Sequence, residues 1–155
     1  MSMRVREHVP LPDEAAQILA VVGCDGDDLL LSYIFQGTNW RLHIAHGIGE
    51  ALGLLSAERF AVIITDERAP DGTWMSLLEG RSAESEWTPV IVASLHADER
   101  LWQEALNLGS FDVLAKPFDE WDVLWASFNA WLGWKNQFET EETEVCLTAA
   151  PASGV

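Results

Sequence analysis

The chain alternates between short apolar runs rich in strand-forming residues and longer segments whose apolar residues recur at helical spacing. The run I-L-A-V-V at 18–22 has no polar interruption and fits a buried strand. G-C-D-G-D-D follows as a loop whose acids suit a helix start, and L-L-L-S-Y-I-F at 29–35 supports that helix, with Gly37 as its stop. The same alternation predicts strands at 40–45, 60–65, 90–94 and 112–115. It predicts helices at 49–56, from Trp74 to Leu78 onward, at 98–108 closed by Gly109, and at 120–135. Five strand-helix repeats imply an α/β fold with a parallel sheet and helices on both faces, because parallel neighbours need right-handed crossover connections. The segment at 60–72, F-A-V-I-I-T-D-E-R-A-P-D-G, organises the rest: an apolar strand ends in Asp66 and breaks into a loop carrying Pro70, Asp71 and Gly72. In such folds chemistry collects at the C-terminal edge of the strands.

Composition narrows the partners. The length of 155 residues suits one folded domain, read here as 17–136. Residues 1–16, with Pro10 and Pro12, read as a loosely ordered extension, and 137–155, with T-E-E-T-E, as a disordered acidic tail. Nine cations against 25 acids give a net charge of -16, which argues against direct nucleic-acid binding and toward protein partners. No segment has a secretory h-region or the apolar length of a membrane span, so the reading is a cytoplasmic protein without membrane contact. Two cysteines, Cys24 and Cys146, make neither a disulfide framework nor a zinc site, and Cys24 reads as an ordinary small residue. His43, His46 and His96 form no metal-binding spacing. Eight tryptophans are more than a core of this size needs, and Trp121, Trp125, Trp131 and Trp134 fall in the last helix. Leu124, Phe128 and Leu132 already supply its core stripe. Trp102, Trp121 and Trp125 are therefore expected on an output face for protein contacts, the alternative being that the indoles wrap the edge of the core.

Three polar residues fall at successive strand ends: Asp66, Ser94 and Lys116. Each alone has a structural explanation, as a turn cap, a common strand-end serine or a frequent Lys-Pro pair. Together they place a nucleophilic carboxylate, a hydroxyl donor and an ammonium around one small anion, which suits a phosphoryl group on Asp66.

On these residues the chain, over 18–135, resembles the receiver domains of two-component response regulators. The resemblance is carried by I-I-T-D-E-R-A-P-D-G, P-V-I-V-A-S and F-D-V-L-A-K-P-F. It implies a flavodoxin-like doubly wound (βα)5 sandwich with a five-stranded parallel sheet in the order 2-1-3-4-5. It also implies Asp66 as phosphoacceptor, Ser94 as switch hydroxyl and Lys116 as the phosphoryl-contacting lysine. The partner would be a sensor histidine kinase or another phosphorelay protein, and a homodimer would form through the fourth helix, fifth strand and fifth helix. Receivers bind Mg2+ with an acid pair at the end of strand one, the phosphoacceptor and a backbone carbonyl. Here Val22 and Gly23 stand at the pair's positions, so a site built from Asp66 with Asp25 as substitute is expected to be weak or absent. Asp25, Asp27 and Asp28 serve either as that substitute or as helix-start acids. Val113 stands where many receivers carry a switching aromatic.

Two functions follow. One is a stand-alone receiver in a phosphorelay, accepting a phosphoryl group on Asp66 and signalling through protein contacts; no output segment is read after Lys135, and no enzyme activity is expected beyond phosphoryl acceptance and self-dephosphorylation. The other is a phosphorylation-independent pseudo-receiver, a protein-interaction module that has lost its metal acids. A dehalogenase-type phosphohydrolase is set aside because Arg68 occupies the place of its second aspartate.

Overall fold

Strands apolar at nearly every position must be covered on both faces, and period-two alternation sends neighbouring residues to opposite layers. The computed structural model, which describes residues 16–23, 26–82, 85 and 87–136, has this arrangement. The elements are β1 (Gln17–Val21), α1 (Asp27–Phe35), β2 (Arg41–Ala45), α2 (Ile48–Ala57), β3 (Val62–Asp66), α3 (Trp74–Gly80), β4 (Val90–Ser94), α4 (Glu99–Asn107), β5 (Asp112–Ala115) and α5 (residues 120–136). All five strands are parallel, in the order β2-β1-β3-β4-β5, as expected. Between β3 and α3, Arg68–Ala69 and Gly72–Thr73 pair as a short antiparallel ribbon that the sequence pattern did not predict.

Ile18, Ala20, Ile64, Ile91 and Ala93 face one layer, where they meet Leu31, Phe35, Val123 and Trp131 of α1 and α5. Leu19, Val21, Ile63 and Val92 face the other and meet Ala51, Leu55, Trp74, Leu77, Leu101 and Ala105 of α2, α3 and α4. Val113 belongs to this second core and is buried.

Boundaries shift where hydrogen bonds outvote hydropathy. β3 starts at Val62 and includes Asp66, and α1 begins at Asp27, two residues before its apolar run. α4 is capped by Asp98, whose carboxylate accepts from the Leu101 N–H at 2.9 Å. Of the extension at 1–16 all but Ala16 lies outside the described residues, as does the tail at 137–155.

The tryptophans of α5 divide from Trp102. A run of ring contacts links Trp121 to Trp125 (5.5 Å), Trp125 to Phe128 (5.7 Å), Phe128 to Trp131 (6.1 Å), Trp131 to Trp40 (6.3 Å) and Trp40 to Phe35 (6.4 Å). Trp121 and Trp125 are half-buried against the α1–α5 core, whereas Trp102 is 37% exposed. Trp121 and Trp125 thus pack against the core and keep part of their surface exposed. No helix among the described residues is long and apolar enough to cross a membrane.

Candidate functional site

Parallel pairing brings the three strand ends together. The register sets Asp66 beside Ala93 and Ser94 beside Ala115, and the Lys116 N–H donates to the Ser94 carbonyl at 2.9 Å. Lys116 follows β5 directly and precedes Pro117 through a cis peptide bond. Its Nζ lies 2.6 Å from Asp66 Oδ1 and 2.7 Å from Asp27 Oδ2. The lysine side chain is 9% exposed and that of Asp66 6%. Burial alone would pull the ammonium's pKa down, but the bonds from Asp27 and Asp66 outweigh it and hold the pKa above its ordinary 10.5. A buried charge of either sign is costly unless paired, so each of these groups depends on the other.

The other oxygen of Asp66 is engaged as well. The Gly23 N–H donates to Asp66 Oδ2 at 2.7 Å. Gly23 packs so closely that a Cβ there would lie 2.9 Å from the Arg68 carbonyl oxygen and 3.6 Å from Asp66 Oδ2. Val22 is 3% exposed and belongs to the α1–α5 core. A magnesium ion wants hard oxygen donors in a near-octahedral shell. Positions 22 and 23 offer an apolar side chain and an N–H donor instead, and no group of three His, Cys, Asp or Glu is placed to hold a metal among the described residues. These residues do not fit the receiver design of a magnesium site.

The substitutes proposed from sequence separate. Asp25 and Cys24 lie outside the described residues. Asp27 stands in the first turn of α1 behind Gly26, which provides no side-chain cap, and its carboxylate goes to Lys116. The helix-start explanation holds only as a place in the first turn, because the buried ammonium is the stronger attraction. Asp28 accepts from the Leu29 N–H at 2.9 Å and stands 3.9 Å from His46 Nε2.

Ser94 is 4% exposed, and its hydroxyl is committed away from Asp66. It donates to Glu67 Oε1 at 2.7 Å and accepts from the His96 N–H at 2.9 Å. Glu67 was missed in the sequence because strand alternation assigns neighbours of Asp66 to the opposite face; its N–H extends the ladder to the Ala93 carbonyl at 3.0 Å. Asp71 was missed too. Its carboxylate accepts from the Ile48 and Gly49 N–H groups at 2.7 and 2.9 Å and so caps α2 from 22 to 23 residues away. The Gly49 and Ile48 amides hold its pKa below the usual carboxylate value.

Away from this edge, Trp102, Leu106, Leu108 and Phe111 are exposed on α4 and the approach to β5. Nearby Asp112 has its pKa pushed up by burial, opposed by the Val113 N–H.

The sequence profile of the family described as "Response regulator receiver domain" matches residues 29–126. Among curated relatives, the Regulatory protein AtoC of Escherichia coli is 31% identical over 66% of this chain and 22% of its own length. The Response regulator protein PilR of Pseudomonas aeruginosa is 35% identical over 48% of this chain and 17% of its own length. The chain therefore spans less than a quarter of either relative. A solved putative response regulator from Chloroflexus aurantiacus shares the fold at a TM-score of 0.71 and 19% identity, covering 77% of this chain and 99% of that one.

Proposed function

Because the chain belongs to the response regulator receiver domain family, we propose that it accepts a phosphoryl group on Asp66 and signals through protein contacts of the α4–β5–α5 face. The observation that carries this reading is Lys116 Nζ, 2.6 Å from Asp66 Oδ1 at the edge where β4 ends in Ser94. In the transfer a carboxylate oxygen of Asp66 forms a bond to phosphorus as the phosphorus–nitrogen bond of a donor phosphohistidine breaks. The imidazole leaves with the electron pair and takes up a proton. Lys116 offsets the added negative charge, a term that grows in a water-poor site. The donor is a histidine kinase or another phosphorelay protein, and the domain itself is a signalling module whose chemistry is phosphoryl acceptance and self-dephosphorylation. Exposed Trp102, Leu106 and Phe111 give the output face its apolar anchors.

One observation favours a second reading, a pseudo-receiver that works without phosphorylation: the Gly23 amide, in place of an acid, already occupies Asp66 Oδ2. The deciding experiment is incubation with a small phosphodonor and magnesium, followed by intact-mass measurement beside an Asp66→Asn control. A phosphoryl adduct lost in the control is the expected result. No adduct at saturating magnesium overturns phosphoacceptance and leaves the second reading.

A further inference from the structure

A hydroxyl has one proton to give. In Ser94 the oxygen accepts from the His96 N–H at 2.9 Å, and the proton goes to Glu67 Oε1 at 2.7 Å. Lys116 does not call on Ser94, since Asp27 and Asp66 already take its charge. From Ser94 the hydrogen bonds run on without a gap into α4. The Asp98 N–H donates to the His96 carbonyl at 2.8 Å, Asp98 Oδ1 accepts from the Leu101 N–H at 2.9 Å, and the Asp98 carbonyl accepts from the Trp102 N–H at 3.0 Å. Trp102 is the first large exposed apolar residue of that helix.

We propose that Glu67 is a built-in latch: its carboxylate is the anion that holds Ser94, and through Ser94 it sets the loop to Asp98 and the first turn of α4. The chain thereby supplies from its own sequence the kind of negative acceptor that a phosphoryl oxygen would offer. The latch operates in the unphosphorylated protein and goes beyond phosphoacceptance on Asp66. Where Asp66 does carry a phosphoryl group, its oxygens and Glu67 compete for a single proton, and winning it releases the Glu67 carboxylate.

The test is amide hydrogen exchange on the unphosphorylated full chain. In Glu67→Ala the amides of residues 96–102 exchange about tenfold faster, as expected when one charge-assisted hydrogen bond holding a local segment is lost. Glu67→Gln keeps an acceptor oxygen and stays within about threefold of the parent. Ser94→Ala removes the bond to Glu67 and also the acceptor of the His96 N–H, so it exchanges at least as fast as Glu67→Ala, and the double variant goes no further than Ser94→Ala alone. Unchanged exchange at 96–102 in Glu67→Ala overturns the latch. So does acceleration spread equally over β1 and β3, which marks general loss of stability. The phosphoryl adduct is read separately by mass, so either idea can fail while the other stands.

Discussion

On its β5 side the Asp66 carboxylate meets an ammonium; on its β1 side it meets a backbone amide. Both contacts satisfy an oxygen of a buried carboxylate, yet they constrain the protein differently. The Lys116 side carries a full charge, drawn at once by Asp27 and Asp66, and that charge can be shared again with an incoming anion. The Gly23 side carries a dipole fixed by the path of the backbone, wedged against the Arg68 carbonyl. Asp71 repeats the amide solution one strand further out, on the N-terminus of α2. One edge of the sheet thus handles carboxylates by cation at β5 and by main chain at β1 and β2. The first half presents a buried cation to the carboxylate, while the second presents a closely packed main-chain donor.

The contrast breaks most sharply at Lys116. Lys116→Met leaves the Asp66 carboxylate buried with only the Gly23 amide, and stability in urea should fall by about 3 kcal/mol, the cost of stripping one partner from a buried ion pair. Adding Asp66→Asn should recover most of that loss, since the remaining carboxylate, Asp27, is 22% exposed and reaches water. A loss below about 1 kcal/mol would place the pair among solvent-screened ones and dissolve the distinction. Because the folded pKa of Lys116 is raised, its contribution is intact below the ordinary 10.5 and is lost as pH rises through the folded value. The parent should therefore weaken in alkali, and Lys116→Met should lack that limb.

A smaller effect is expected on the amide side. Gly23→Ala puts a Cβ 2.9 Å from the Arg68 carbonyl, backbone that cannot swing aside as a side chain would. Overpacking of this kind costs about 1–2 kcal/mol. Gly23→Asp, which returns an acid to that position, should cost at least as much and should show no rise in Tm on adding magnesium. A magnesium-dependent rise would mean that the loop re-forms around the metal, and the main-chain half would then be as adaptable as the lysine half.

The cation half was legible in the sequence and the amide half was not. Asp66, Ser94 and Lys116 announce themselves because each is a polar residue ending an apolar run, and parallel topology then carries them to one edge. The five strands and their order followed from the same periodicity and from the family resemblance. A main-chain donor leaves no such mark: Gly23 registered only as a missing acid, and its N–H on Asp66 depends on how the β1–α1 loop turns. Asp27 was visible as an acid at a helix start, but its pairing with a lysine 89 positions later was not. Asp71 was hidden for the same reason, since it bonds across 23 residues, and Glu67 was hidden doubly, by a bond across 27 residues and by a strand alternation that assigns it to the face opposite Asp66. For Trp121 and Trp125, spacing along a helix showed an apolar arc wider than one stripe without showing that both rings are half-buried against the α1–α5 core, next to each other and to Phe128.

The smallest effect belongs to Asp71, which among the described residues is held by main-chain donors and no cation. Its pKa is lowered first by the Gly49 amide and then by the Ile48 amide, relative to an ordinary value of 3.8. A depressed carboxylate contributes stability that is fully present above its unfolded pKa and is lost as pH falls through the folded one. The β2–α2 side should therefore loosen in acid, at the opposite end of the pH scale from Lys116. Asp71→Asn retains one acceptor oxygen for the α2 amides but has no charge to titrate. Its denaturation midpoint should sit slightly below the parent's at neutral pH, begin to approach it below about pH 4, near the unfolded carboxylate value, and converge on it only below the depressed folded value. Parallel curves at every pH would show that Asp71 contributes shape and no charge, leaving the Gly23 contact alone to represent the amide half.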